Sequence, residues 1–592
     1  MPCLVLPDDA LDKDRWNALI ACMLQPLKQL FWQASKTLVW CYGLGLCAEW
    51  LVAQEPAMTV RVQVDLSQSM GPLRPIWRYF GADEPNYAYM KDGSKLLGEL
   101  GELAPGEVFF RAHNLLTSGD GTPALKWGST GVYHEDANGN PSYDWNILDR
   151  IFDTYLERGV RPYVEIGFMP QALSVKPEPY QHEWAPGAPY EKIYTGWAHP
   201  PRDHEKWQEL VRQWTHHCVE RYGAEEVNHW YWETWNEANI PYWQGSRDGF
   251  LKLHDYAIAG VREALPTARV GGPDCAGPGG DFMRAFLDHC LTGTNYVTGE
   301  IGTPLDFVAF HAKGSPKFVD GHVQMGMANQ LRNIRDGFAL VASYPELRDT
   351  PIIIGESDPE GCAACQGPQL AYRNGTMYSS YTAASFMRKM DLADRYQVRF
   401  DGALSWAFEF EDHPQFAGFR SLASGGINKP VLNVFRMFSM MKGQRVQVIS
   451  DHQVPLDEIL EKGVRQQADV AGLASLMDDQ VWILLWHYHD DDLPGPVAEI
   501  ALNLKGLPAD TRWLTMDHYR IDQEHSNAWV HWKAMGSPAP LSEAQYNALD
   551  TRDGLEIIEQ GVRFEVTPQG ASLPCSLPRQ GVSLLVVKVP TP

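Results

Sequence analysis

Basic residues are few in this chain relative to acidic ones. Its 592 residues include 50 lysines and arginines against 74 aspartates and glutamates, which gives a formal net charge of -24 at pH 7. Proteins that bind nucleic acids or anionic membrane surfaces do so through basic patches. The composition therefore argues against nucleic acid and membrane as partners.

A long uninterrupted apolar run is also missing. The strongest candidate, residues 37–53, is broken by Glu49 and is short for a membrane span, which needs about 20 apolar residues. Residues 23–53 have two interpretations. Either they form an export signal, which predicts a periplasmic or secreted protein, or they precede a true start at Met58, which predicts a cytoplasmic one.

Cysteine clusters suited to metal binding are missing as well. Among the ten cysteines, Cys362 and Cys365 form a C-x-x-C pair. A zinc site needs more ligands than this pair supplies, and the surrounding pattern is not that of a thioredoxin-like redox motif. A disulfide within one loop and two free thiols are the remaining alternatives. No cofactor and no metal ion are expected.

What the sequence does contain is a repeated alternation of apolar runs and helix-like stretches. Between the runs, residues 143–158, 204–222, 249–264 and 369–392 have the 3.6-residue periodicity of helices. Eight strand–helix repeats predict an α/β fold, a (β/α)8 TIM barrel. The eight runs that predict its strands are residues 75–81, 107–114, 161–168, 230–237, 268–274, 305–311, 351–356 and 401–408.

The chain changes character after about residue 443. Short β-rich runs such as residues 480–487 and 581–589 are separated by proline, glycine and aspartate, which predicts an accessory antiparallel β-sandwich. Residues 59–66 alternate in the same way and are predicted to add a strand to it. The predicted organisation is an N-terminal extension at 1–57, a β-sandwich domain from 58–74 and 444–592, and a catalytic barrel at 75–443.

Two glutamates follow buried strands of the predicted barrel. Glu237 stands directly after Asn236 at the end of an aromatic-rich strand, and Glu356 ends the apolar run 351–356. Parallel α/β architectures carry their chemistry at the carboxyl ends of the strands. Glycoside hydrolysis requires two carboxyl groups on either side of the scissile bond. The sequence therefore predicts a glycosidase that uses Glu237 and Glu356.

Other polar and aromatic side chains are predicted at the same end of the barrel. Any one of them is more often a structural residue than a ligand contact, but their convergence favours a sugar site, because a sugar presents both hydroxyls and apolar ring faces. The predicted substrate-binding residues among them are His113, Asn236, His311, Trp406 and Glu411.

Four motifs follow one another along the chain: WRYFGADEPNY at 77–87, PYVEIGFMP at 162–170, ETWNEAN at 233–239 and IIIGES at 352–357. In order and spacing they resemble family 39 of the glycoside hydrolases, which contains β-xylosidases and α-L-iduronidases. The resemblance spans about residues 58–592 and implies a retaining exo-glycosidase on a barrel with a β-sandwich.

The resemblance also implies roles for individual residues. Glu237 would be the acid/base and Glu356 the nucleophile, while Asn236 would hold the sugar's 2-hydroxyl or position the nucleophile. One departure is Ala238, where the family motif usually has proline, and this puts the geometry of the following loop in doubt. The residues implied to line the subsite for the terminal sugar are His113, His311 and Trp406.

The identity of the sugar is less closely constrained. A β-D-xyloside and an α-L-iduronide share their configuration from C1 to C4, and the iduronide adds a carboxylate at C5. Lys313 resembles the iduronidase lysine that meets this carboxylate, but it is equally suited to pairing with a nearby aspartate or glutamate. The preferred interpretation is a β-xylosidase acting on xylo-oligosaccharides. The alternatives are an α-L-iduronidase-like or α-L-arabinosidase activity, or a catalytically inactive carbohydrate-binding barrel. A homo-oligomer is compatible with the sequence.

Overall fold

The computed structural model describes residues 56–589, and the interpretation of residues 23–53 lies outside this range. One part of this range is an eight-stranded parallel sheet, in which all eight predicted strands are present. In chain order, barrel strands 1 to 8 are Tyr79–Ala82, Val108–Ala112, Val160–Ile166, Tyr231–Thr234, Arg269–Cys275, Phe307–Lys313, Ile352–Asp358 and Phe400–Ala403.

Each strand pairs in parallel with the next, and the sheet is nearly closed into a barrel. The first and last strands meet at a parallel bridge between Phe80 and Ser405. There the backbone N–H of Gly81 donates to the carbonyl of Ser405 at 3.1 Å, and the N–H of Ser405 donates to the carbonyl of Tyr79 at 2.9 Å. The prediction of a TIM-like barrel is therefore confirmed.

A helix follows every strand, as a (β/α)8 fold requires. The apolar faces of these helices pack on the strands, which is why the strands are buried on both sides and read as continuous apolar runs. The helix predicted at 204–222 has these same bounds in the structure. The helix predicted at 369–392 begins later, at Thr376, because residues 368–374 form a separate 3-10 helix capped by Gly375. The eight helices are Lys91–Leu103, Asn146–Glu157, His204–Tyr222, Arg247–Ala264, Gly280–Thr292, Met327–Ala342, Thr376–Tyr396 and Pro430–Met440.

A second sheet of nine strands closes on itself beside the barrel. Its alternating side chains bury one apolar face in a core of their own. Eight of the neighbouring pairs are antiparallel, but Met58–Pro72 runs parallel to Ala498–Lys505. A two-sheet, wholly antiparallel sandwich is thus not confirmed. The other seven strands are Gln444–Ser450, Asp469–Met477, Gln480–Tyr488, Trp513–Ile521, Glu556–Thr567, Gly570–Leu577 and Val582–Lys588.

The strand Met58–Pro72 also pairs with Gln444–Ser450, so segments from both sides of the barrel in sequence meet in this sheet. The domain boundaries at 58–74, 75–443 and 444–592 stay a prediction. A helical insertion in the nine-stranded sheet, Ala528–Ala534, carries Trp532, whose ring lies 5.1 Å from that of Phe416 in the loop after barrel strand 8.

The remaining elements are short. None of the helices between residues 56 and 589 combines the length and apolar character that crossing a membrane requires. The short helices are Pro85–Tyr89, Gln171–Leu173, Tyr190–Ile193, Gly196–Ala198, Ala224–Val227, Pro345–Leu347, Pro368–Asn374, Leu456–Lys462 and Glu543–Asp550, and the two-stranded hairpins are Tyr133–Glu135 with Pro141–Tyr143, Lys317–Val319 with His322–Gln324 and Ala423–Ser424 with Ile427–Asn428.

Candidate active site

Seven of the eight predicted site residues come together at the carboxyl end of the barrel. They arrive from different strands: His113 follows strand 2, Asn236 and Glu237 follow strand 4, His311 and Lys313 lie in strand 6, Glu356 lies in strand 7 and Trp406 follows strand 8. Parallel strands end at the same edge of a sheet, so residues far apart in sequence meet there.

The backbone around both glutamates is unusual. Glu237 has a φ of 45° and Trp235 has a φ of 72°, both in the left-handed region that non-glycine residues seldom adopt. Such strain is tolerated where the surrounding structure fixes it, often at functional sites. On the other strand, a Cβ atom at Gly355 would lie 1.9 Å from Oδ1 of Asp274, so glycine is required beside Glu356.

His311 connects the two glutamates. Its Nδ1 lies 2.7 Å from Oε1 of Glu237 and 3.8 Å from Oε1 of Glu356. Since both oxygens are measured from one nitrogen, they are separated by at most the sum of these distances, about 6.5 Å. Two carboxyl groups at this spacing can flank one glycosidic bond.

Basic side chains surround Glu356. Lys313 makes a close ion pair with Oε2, and Oε1 lies 3.6 Å from Nη1 of Arg111 and 3.7 Å from Nε2 of His113. Burial alone would raise the pKa of Glu356, but the basic side chains around it, Lys313 first and then His311, hold that pKa well below its usual range. Glu356 is therefore an anion at neutral pH.

Arg111 is a residue that the sequence analysis missed. It is fully buried inside barrel strand 2 and pairs closely with Glu233, while its Nη2 lies 2.7 Å from Glu165 and 2.5 Å from Asp274. The same Nη2 donates to Oδ1 of Asn236 at 3.1 Å. A buried charge persists only where it is paired and hydrogen-bonded, as here. The signal in the sequence is an arginine within the apolar run EVFFRAHN.

Asp274, at the end of barrel strand 5, was also missed. Its Oδ2 lies 2.9 Å from Nε2 of His311, on the opposite side of the ring from Glu237. Burial alone would lower the pKa of His311, but Asp274 and Glu356 raise it to about 10. The ring is thus a cation at neutral pH, hydrogen-bonded to Glu237 through Nδ1 and ion-paired with Asp274 on its Nε2 side. The signal in the sequence is an aspartate at the end of the run ARVGGPD.

Lys313 pairs with carboxylates, which is one of the two alternatives considered from sequence. Its Nζ lies 2.8 Å from Oδ2 of Asp358 in addition to its contact with Glu356. Arg420 lies 3.4 Å from the same Oδ2 and pairs closely with Glu360. Two cations therefore stand beside barrel strand 7.

Trp406 and His113 pack together at the floor of the site. Their ring centroids are 4.3 Å apart, and the Trp406 ring also lies 5.2 Å from the guanidinium of Arg111. Nδ1 of His113 is hydrogen-bonded to Glu165 at 2.6 Å, which leaves Nε2 directed towards the site.

Glu411 is not brought to these residues. Its Oε1 accepts hydrogen bonds from the backbone N–H groups of Asp92 and Gly93, both at 2.8 Å, at the start of helix Lys91–Leu103. Met90, which precedes this helix, supplies no side-chain cap. Glu411 thus compensates the unpaired N–H groups and the positive dipole end of the helix.

A disulfide joins Cys362 to Cys365 in the loop after barrel strand 7. Of the two alternatives considered from sequence, this is the loop disulfide. Arg373 donates to the carbonyls of Cys362 and Cys365 and to Glu360, so the loop is tied to the ion pairs around Arg420.

A carboxylate pair at the carboxyl end of a parallel eight-stranded barrel is an arrangement of glycoside-cleaving enzymes. The model of glycosyl hydrolases family 39 matches residues 60–565. The chain therefore belongs to glycoside hydrolase family 39, and carbohydrate is its class of substrate.

Relatives of two named activities are similar to this chain. A beta-xylosidase of Geobacillus stearothermophilus is 26% identical over 452 residues, which cover 73% of this chain and 77% of the relative. An alpha-L-iduronidase of Mus musculus is 25% identical over 586 residues, 93% of this chain and 82% of the relative. The crystal structure of a monomeric beta-xylosidase from Caulobacter crescentus CB15 superimposes with a TM-score of 0.68 at 19% identity and covers 90% of this chain and 100% of that one, which supports the fold.

Proposed function

We propose that this protein is a retaining exo-glycosidase that removes terminal β-D-xylosyl residues from xylo-oligosaccharides. The observation that carries the proposal is the single His311 nitrogen within 2.7 Å of Glu237 and 3.8 Å of Glu356. Retaining enzymes hold their carboxyl groups about 5–5.5 Å apart and inverting enzymes about 6.5–9.5 Å apart. The upper limit of about 6.5 Å set by His311 favours the retaining spacing.

In the proposed first step, Glu356 attacks the anomeric carbon while Glu237 gives its proton to the departing oxygen. The glycosidic bond breaks, and an ester bond forms between the sugar and Glu356. In the second step Glu237 takes a proton from water, the water oxygen bonds to the anomeric carbon, and Glu356 leaves as a carboxylate. The β configuration is inverted twice and so retained.

The surroundings suit this division of roles. Arg111, Lys313 and the two histidines stabilise Glu356 as an anion, which is the form that attacks. The amide oxygen of Asn236 is engaged by Arg111, so its N–H₂ group is left to donate to the sugar's 2-hydroxyl beside the nucleophile. His113, His311 and Trp406 supply polar and aromatic contacts for the terminal sugar.

An α-L-iduronidase-like activity is the second candidate, because one observation favours it. Lys313 pairs with Glu356, and Arg420 lies 3.4 Å from Asp358 two residues further along the same strand, so a sugar carboxylate there would find cationic partners. Both cations already pair with Asp358, however, and this pairing supports the neutral xyloside as the better fit.

The proposal is tested with 4-nitrophenyl β-D-xylopyranoside, an aryl α-L-iduronide and an aryl α-L-arabinoside under the same conditions. We expect the highest kcat/KM on the xyloside. Xylotriose labelled at its reducing end should release unlabelled xylose and labelled xylobiose, and NMR should detect β-xylose as the first product. A preference for the iduronide would favour the second candidate, and turnover of none of the substrates would favour a binding protein.

A further inference from the structure

Another buried ion pair, between Lys126 and Asp83, lies beyond the network around Arg111. Nζ of Lys126 is 2.8 Å from Oδ2 of Asp83, with side-chain exposures of 4% and 5%. Removing two charges from water costs free energy that their attraction often does not recover. Stability alone therefore does not account for this pair, and its position supplies a reason.

The pair continues a row of polar atoms that begins at the proposed nucleophile. Nε2 of His113 lies 3.7 Å from Oε1 of Glu356 and 3.4 Å from Oδ1 of Asp83. Both distances exceed those of good hydrogen bonds. One imidazole nitrogen thus lies within 4 Å of two carboxylate oxygens without a good hydrogen bond to either, and a sugar hydroxyl near them could reach more than one of them.

Lys126 is held rigidly at the far end of this row. Its φ of 58° is left-handed, its backbone N–H donates to Oε1 of Glu84 at 2.6 Å, and its Nζ lies 5.4 Å from the centre of the Tyr190 ring. The hydroxyl of Tyr190 is 2.8 Å from that of Tyr242. Asp83, Lys126, Tyr190 and Tyr242 are together called the wall, because they lie at the end of the row away from Glu356.

The ring of Tyr242 links this wall to the sugar pocket, since its centroid is 6.2 Å from that of His113. Burial alone would raise the pKa of Asp83, but Lys126 and His113 hold it below its usual value. The wall therefore presents a carboxylate that accepts hydrogen bonds next to an ammonium that donates them.

We infer that the Asp83–Lys126 pair binds the 3- and 4-hydroxyls of the terminal sugar and closes the pocket at its non-reducing end. This inference rests on the proposed function, because it takes the anomeric carbon to lie at Glu356. The hydroxyls at C3 and C4 then lie farthest from Glu356, along the row towards Lys126. A chain extended through the 4-oxygen would meet Lys126 and Tyr190, so the same pair makes the enzyme act at chain ends.

The test is the change of Lys126→Met, which keeps the aliphatic stem and removes the charge. Values of kcat/KM are measured on 4-nitrophenyl β-D-xylopyranoside and on its C4 epimer, the α-L-arabinopyranoside. We expect the value on the xyloside to fall about tenfold to hundredfold, as for the loss of a charge-assisted hydrogen bond. The value on the epimer should fall much less, so the preference for the xyloside drops by about tenfold or more.

Two variants separate recognition from folding. Lys126→Arg keeps a cation and should retain most of the preference, and the double variant Asp83→Asn with Lys126→Met leaves no unpaired buried charge but should lose the preference. Lys206→Met is the matched control. Lys206 lies on the helix after barrel strand 3 and also pairs with a carboxylate, that of Glu135, at 3.1 Å. Thermal melting checks that each variant is folded.

Equal losses on both substrates in Lys126→Met and in the folded double variant would overturn the inference. If the unaltered protein hydrolyses neither glycoside, the proposed function is wrong, and the inference about the Asp83–Lys126 pair is decided separately. Titration of tryptophan fluorescence with D-xylose and L-arabinose then decides the inference. Xylose binding that weakens by about tenfold in Lys126→Met supports it, and unchanged binding, or no xylose binding by the unaltered protein, overturns it.

Discussion

Glu237 and Glu356 share His311 but differ in everything else that surrounds them. The side chain of Glu356 is 7% exposed and has a lysine, an arginine and two histidines within 4 Å. The side chain of Glu237 is 16% exposed, and within residues 56–589 its ion-pair partner at that distance is His311 alone. The same residue type thus stands in two different electrostatic environments.

This difference accounts for the proposed division of labour. An attacking carboxylate must stay ionised, and the cations around Glu356 keep it so. An acid/base must gain and lose a proton in each cycle, so a ring of fixed cations around it would be a disadvantage. The proposed roles follow from the basic neighbours on strands 2 and 6 rather than from the glutamates themselves.

The largest effect is expected for Glu356→Gln, because an amide cannot form the ester. We expect kcat to fall by about ten-thousandfold or more on every glycoside, as when a catalytic nucleophile is lost. Initial-rate measurements on the aryl xyloside and on xylobiose check this. Glu226→Gln is the matched control, since Glu226 pairs with Arg161 near the opposite end of barrel strand 3. Comparable activity in the two variants would rule out Glu356 as the nucleophile.

The next-largest expected effect distinguishes the role proposed for Glu237 from the role proposed for Glu356. Glu237→Gln removes the proton donor, and general acid catalysis contributes about a hundredfold to ten-thousandfold. We expect a loss of this size in kcat/KM on xylobiose, whose leaving group needs a proton. The value on an aryl xyloside with an acidic phenol should fall far less, because its leaving group departs without one.

The proposed roles of the two glutamates are contradicted if kcat/KM falls by the same factor on both substrates in Glu237→Gln. That result would mean that Glu237 acts in bond breaking whatever the leaving group, as a nucleophile does. The proposed roles of Glu237 and Glu356 would then have to be exchanged.

The barrel was predictable because its signals are local. Strand 7 is a run of three isoleucines that are fully buried, and such runs predict parallel strands without knowledge of their neighbours. The strands of the second sheet were also recognisable by their alternation. Their pairing was not, because alternation does not say which strands are adjacent, and so the parallel pairing of Met58–Pro72 with Ala498–Lys505 was missed.

From the residue pattern, a member of the site was predictable only where its position at the end of a strand was sufficient to place it there. Glu356 ends an apolar run, whereas the partner of Glu411 is the start of a helix that lies 318 residues away along the chain. Arg111 joins carboxylates from barrel strands 3, 4, 5 and 7, which become neighbours only when the barrel forms. Such contacts depend on the closed sheet and leave no local pattern.

The smallest expected effect tests why the electrostatic environments of Glu237 and Glu356 differ, rather than which role each glutamate has. Lys313→Met removes the cation that contributes most to lowering the pKa of Glu356, so that pKa should rise. Since only ionised Glu356 attacks, activity is lost as the pH falls through its pKa, and the acidic limb of the kcat/KM profile on the aryl xyloside should move to higher pH. Lys313→Arg, which keeps the charge, should leave the limb near its original position. An acidic limb that stays in place in Lys313→Met, in a protein that melts normally, would mean that Arg111 and the histidines suffice to keep Glu356 ionised.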